Sequence, residues 1–229
     1  MRHELTIDRQ RVGLRVRRSP RARRMALHLD PASGDVVLVL PTRSNLSQGL
    51  RFAEANSGWI AERVARLPPA VALVDGARLP YLGAGVRVRH RPETRGGVWR
   101  EGDEICVSGA AEHLPRRLRD WLKRQARAEL GLRAHAAAAR LGKSIVRVSV
   151  RDMRSRWGSC TSKATLGFCW RLIMAPEAVV DYVVAHEVAH LAEMNHGPRF
   201  WALVRKLAPG MDEAQAWLRQ HGPALLRYD

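Results

Sequence analysis

The sequence predicts an α+β protein with a β-rich N-terminal part and a C-terminal core made of a long helix, a small sheet and a second, buried helix. Three observations carry this. Short alternating apolar runs separated by Pro and Gly dominate residues 1–112. Residues 113–229 change to helical spacing broken by two strand-like runs. Within them, the apolar run that leads into Val184-Ala185-His186-Glu187-Val188-Ala189-His190 is too long for a strand and reads as a buried helix.

The first part, 1–112, offers strands at Leu5-Thr6-Ile7, Val12–Val16, Met25–Leu29 and Val36–Leu40, each alternating and bounded by turn residues. Asn45 to Leu67 has helical spacing through Leu46, Leu50, Ala53, Ile60 and Val64, and Pro68-Pro69 stops it. Asp75-Gly76 is a hairpin-type turn, Val86–Arg89 alternates as a strand, and Trp99 with Ile105–Val107 closes this half. The second part, 113–229, opens with a basic amphipathic helix from Leu114 to Leu141, with Gly131 as the candidate break. Ile145–Val150 and Gly167–Ile173 read as strands, Pro176 to Glu193 as a helix, and Arg199–Leu207 and Asp212–Gln220 as two further helices. Pro176 suits the first helical turn, and Glu177 and Asp181 favour its positive end.

The chemistry concentrates at His186-Glu187-Val188-Ala189-His190. Positions four apart are neighbours on one helix face, so these two imidazoles can share a metal ion while Glu187 stands beside the pair and acts on a metal-bound water. Zinc in a catalytic site takes three protein ligands and a water. His196 is the nearest third ligand, because Gly197-Pro198 forces a turn that folds it back over the helix; Glu193 and His221 are the alternatives. The bland reading, two core histidines bonded to carbonyls, leaves a buried polar trio without a common partner. On that reading zinc would polarise a scissile carbonyl, Glu187 would take the water's proton and return it to the leaving group, and Arg156 or Tyr182 is the candidate for oxyanion stabilisation. Both also have structural readings, as an ion-pair partner and a core residue. Trp157 and Trp201 are expected to pack around the site, and Asn195 to cap the helix end.

No apolar run reaches 18 residues, and Met1-Arg2-His3-Glu4 does not open a signal peptide, so no membrane association is expected. Cys106, Cys160 and Cys169 form no C-x-x-C pair; they read as small buried side chains of a cytoplasmic protein with reduced thiols. The net charge of +17 comes from 35 arginines and 4 lysines and is densest at Arg15–Arg24. Such an excess admits a nucleic-acid partner, although no nucleic-acid motif accompanies it and an Arg-rich composition also gives a merely solvated basic surface.

Arg156-Trp157-Gly158-Ser159-Cys160, Trp170–Pro176, Asp181–Glu187 and Asn195-His196-Gly197-Pro198-Arg199-Phe200-Trp201, taken together, resemble the YgjP-like metallopeptidase family, which is related to the SprT-like zinc peptidases. The likeness extends weakly to Trp59-Ile60 and Asp75-Gly76. It implies a zincin-like metallopeptidase core over 113–229 and a zinc-dependent peptidase acting on peptides or proteins. It further implies ligands at His186, His190 and His196, and Glu187 as acid/base. The relation to SprT-like enzymes supplies the alternative, a DNA-associated protease or nucleic-acid-binding zinc protein. One departure stands out: Cys169 occupies a position where the family often carries Asn.

Overall fold

The computed structural model describes residues 2–7 and 10–228; Met1, where the reading of no signal peptide begins, lies outside them. Contacts divide the chain into two compact units, Met1–Pro69 and Ala70–Asp229. The first holds a four-stranded sheet of order β1-β2-β4-β3, from β1 (Arg2–Ile7), β2 (Gln10–Ser19), β3 (Ala26–Leu29) and β4 (Val36–Pro41). β2 and β4 run parallel, and the other pairs are antiparallel. Leu14, Leu38, Leu40 and Ile60 are its fully buried centre. The expected single helix over 45–67 is two, α1 (Leu46–Ala55) and α2 (Ser57–Ala65). Asn45 caps the first, accepting a bond from Ser47 N at 2.9 Å. Asn56 ends it, leaving helical geometry while its side-chain amide donates to Phe52 O at 2.7 Å.

Part of the basic cluster is spent inside this unit. Arg15 pairs with Asp30 and Asp35, and Arg18 donates to the carbonyls of Thr42 (2.8 Å) and Ser44 (2.7 Å).

The second unit begins at Ala70 and not at residue 113. Its first sheet, β5 (Arg78–Tyr81), β6 (Ala84–Arg91), β7 (Val98–Glu101) and β8 (Glu104–Ser108), has order β5-β6-β8-β7. The apolar side chains Val88, Ile105 and Val107 share one core with Leu118, Leu122 and Val179, which is why residues 70–112 pack with the following helices. The hairpin Leu82-Gly83 has positive φ at both positions (48° and 84°), the two-residue turn that matches strand twist. Its Leu82 N donates to Ile173 O at 2.7 Å, and Gly83 lies against Pro176, where a side chain would approach Pro176 Cα to 3.2 Å. The first sheet therefore buttresses the start of the helix that carries the histidines.

α3 (Leu114–Arg140) runs unbroken through Gly131, whose missing side chain leaves open space. A three-stranded sheet follows, of order β10-β11-β9, from β9 (Arg147–Arg151), β10 (Gly158–Cys160) and β11 (Thr165–Cys169). β9 and β11 are parallel, and β10 is an antiparallel edge. The expected strand over 167–173 stops at Cys169 and turns into a short 3-10 segment, Trp170–Met174, which is wholly buried. Buried Arg171 stacks on Trp170 (4.5 Å), pairs with Asp152 and donates to Tyr228 O at 3.1 Å.

α4 (Glu177–Ala189), α5 (Pro198–Leu207) and α6 (Met211–Leu225) complete the unit. α4 packs against α3, α5, α6 and β10 and buries nine of its residues, leaving only Glu177, Ala178 and Asp181 exposed near its start. No helix among the described residues is long and apolar enough to cross a membrane.

Candidate metal centre

α4 ends four residues earlier than the Glu193 expected from the sequence. Its last helical residue is Ala189, with His190 as the C-terminal cap. The next amides close tight turns, Leu191 N to Val188 O (2.9 Å) and Ala192 N to Ala189 O (3.0 Å), so the chain leaves the helix axis at once. Asn195 therefore caps nothing; its carbonyl accepts from Gly197 N at 2.8 Å. Pro198 occupies the first turn of α5, where its missing N–H costs no helical bond. Trp201 Nε1 donates to His196 O at 3.1 Å and pins the returning loop.

These turns bring His186, His190 and His196 together, with one ligand nitrogen of each within 4.8 Å of the others. His186 Nε2 and His196 Nε2 lie 3.2 Å apart. Two imidazoles on one tetrahedral zinc, each about 2.0–2.1 Å from it, would have nitrogens about 3.3 Å apart, so this spacing fits a shared ion. His190 Nδ1 is 3.1 Å from Glu193 O; with that nitrogen as donor, Nε2 is left to ligate. Glu193 thus contributes a backbone carbonyl, and neither its carboxylate nor His221, which stacks on Trp217 at 4.8 Å, belongs to the cluster. His186 Nδ1 is buried without a hydrogen-bond partner. Phe200, fully buried, floors the trio, with its ring 4.5–5.0 Å from all three imidazoles.

Burial, reinforced by the neighbouring imidazoles, lowers the pKa of His186 to about 4. Burial also lowers that of His190. Both are neutral near pH 7, the form that ligates a metal. Glu187 is 6% exposed, and burial raises its pKa to about 7 against the opposing field of Arg156. It lies directly beneath Gly158 of β10: a Cβ there would come within 2.5 Å of Glu187 Cγ and 2.7 Å of Cδ. The edge strand is thus shaped to leave the carboxylate its place.

A cavity of about 350 Å³ opens beside His186 and Glu187. Arg156, Trp157 and Tyr182 line it, together with Gln215, Leu218 and Arg219 of α6. Sequence reasoning missed the α6 wall. Its only signal was the i, i+3, i+4 spacing of these three residues, whose mixed polarity marks no chemistry by itself. Trp201 packs edge-on to His186 at 5.8 Å. Of the cysteines, Cys106 and Cys169 are buried and Cys160 half-buried, all with free thiols. Burial, then Glu187, pushes the Cys160 thiol up to about 11, which keeps it protonated and a poor ligand. Cys169 donates to Met153 O at 3.3 Å and is fully buried, away from solvent.

The family model of the YgjP-like metallopeptidase domain matches residues 23–221. No curated protein and no solved structure matches the chain.

Proposed function

The chain belongs to the YgjP-like metallopeptidase family, and on that premise we propose that it is a zinc-dependent peptidase whose ligands are His186, His190 and His196 and whose general base is Glu187. The observation that carries this reading is the convergence of three imidazoles beside one buried carboxylate on the wall of an open cavity. The donor set suits zinc, which takes three nitrogen ligands and keeps a fourth position open in catalytic sites. A bound zinc ion would supply Lewis acidity and lower the pKa of water at the site toward neutrality.

The remaining chemistry falls to side chains. Glu187, with a pKa near 7, is poised to take a proton from the attacking water and to return it to the departing amine. Gly158 and burial hold that carboxylate in one position. Tyr182 lines the same cavity; burial raises its pKa, so its phenol stays protonated and offers an O–H donor to the charge that develops on the carbonyl oxygen. Three free thiols fit a reducing compartment, and we assign the protein to the cytoplasm.

Metal analysis of the purified protein, joined to digestion of a peptide library, tests the reading. Glu187→Gln keeps the shape of the side chain and removes its basicity. We expect it to bind zinc at wild-type stoichiometry and to lose hydrolysis by roughly 10²–10⁴-fold. Undiminished cleavage by this variant would refute the role given to Glu187.

A further inference from the structure

The cleft beside Glu187 carries a pair of cations that the proposed hydrolysis does not use. Arg156, between β9 and β10, and Arg219, on α6, both line the 350 Å³ cavity and are exposed to solvent. A second hollow of about 240 Å³ is lined by the same Arg156, Trp157, Leu218 and Arg219, so the two guanidiniums border a groove that runs onward from the histidines. Its floor is apolar: Trp157 packs on Gly222, where a Cβ would meet Trp157 Cζ2 at 3.1 Å. Among the described residues, Glu187 is the sole acidic residue lining either hollow.

Several arginines elsewhere are held by carboxylates. Arg133 meets Glu129, Glu177 and Asp181, Arg89 meets Glu104, and Arg171 meets Asp152. Arg156 and Arg219 have no carboxylate within ion-pair distance among the described residues. A main-chain amide substrate is neutral before reaction and offers two guanidiniums no ground-state charge to bind. A carboxylate accepts a planar, two-pronged bond from arginine and matches this groove in charge and reach.

We propose that Arg156 and Arg219 select substrates that present a carboxylate within one or two residues of the bond to be cut. The carboxylate can belong to an acidic side chain or to a peptide C-terminus; both offer the same group to the same fork. This inference rests on the peptidase reading for its substrate but on different residues for its chemistry.

The test uses one peptide scaffold in paired forms, Glu against Gln at each position flanking the scissile bond, each with a free or amidated C-terminus. Zinc-loaded wild-type protein is compared with Arg156→Gln/Arg219→Gln in kcat/KM. Binding of the same peptides to Glu187→Gln, with and without the two arginine substitutions, is followed by calorimetry. We expect the carboxylate forms to be preferred by roughly tenfold or more, the order of one charge-assisted hydrogen bond, and the preference to vanish in the double variant. Loss on Glu-to-Gln exchange identifies the side chain as the source, and loss on amidation identifies the terminus. Equal use of neutral and anionic peptides, or a preference that survives the double variant, overturns the inference while leaving the peptidase reading intact. Should no peptide be cut at all, the peptidase reading fails, and the calorimetric comparison still decides whether the arginines select a carboxylate.

Discussion

Gly158→Ala probes the fit between the edge strand and the carboxylate. Gly158 has no unusual backbone angle, so alanine is allowed there by conformation; the obstacle is space. The new methyl would stand 2.5 Å from Glu187 Cγ, about 0.9 Å short of an ordinary 3.4 Å contact. Glu187 is buried and boxed in by its own helix, so the carboxylate must swing aside by about that distance. A displacement near 1 Å of a catalytic group costs about a hundredfold in rate. Overpacking adds a stability loss of about 1–3 kcal/mol. The three imidazoles lie outside the clash, so zinc content should be unchanged. The assay is kcat on a cleaved peptide with metal stoichiometry measured on the same sample. A variant that holds full zinc and turns over within threefold of wild type would refute the close fit of β10 on Glu187.

Two other perturbations separate positioning from ligation. Arg133→Ala removes the link from α3 to Glu177 and Asp181 at the start of α4. Its partners are largely exposed, so the expected loss is about 1–2 kcal/mol, read as a Tm lowered by roughly 3–6 °C, and an unchanged Tm would contradict the link. His196→Ala should weaken zinc binding by more than about a hundredfold, whereas Glu193→Ala and His221→Ala should leave it near wild type, as competition with a chelator would show.

Much of the site was legible because its chemistry has a fixed spacing. The H-E-x-x-H spacing put His186 and His190 on one helix face with Glu187 beside them, and the Gly197-Pro198 pair announced the turn that returns His196. The end of α4 was not legible, since Leu191, Ala192 and Glu193 are good helix formers and only the pull of the loop stops the helix at Ala189. The unit boundary at Pro69 was hidden for a related reason. Residues 70–112 look like more of the same β-rich chain, and only the shared burial of Val88, Ile105 and Val107 with Leu118 shows which core they complete. The edge strand β10 is three residues long, too short for alternation to register, yet it supplies the glycine that accommodates Glu187. Arg171, expected only as part of a strand, is the buried clasp of the C-terminal segment.

X-ray absorption at the zinc edge of the loaded protein tests the central claim most directly. Ligation by His186, His190 and His196 requires a first shell of three imidazole nitrogens at about 2.0–2.1 Å with one further oxygen donor. A sulfur shell at about 2.3 Å, or fewer than three imidazoles, would contradict it.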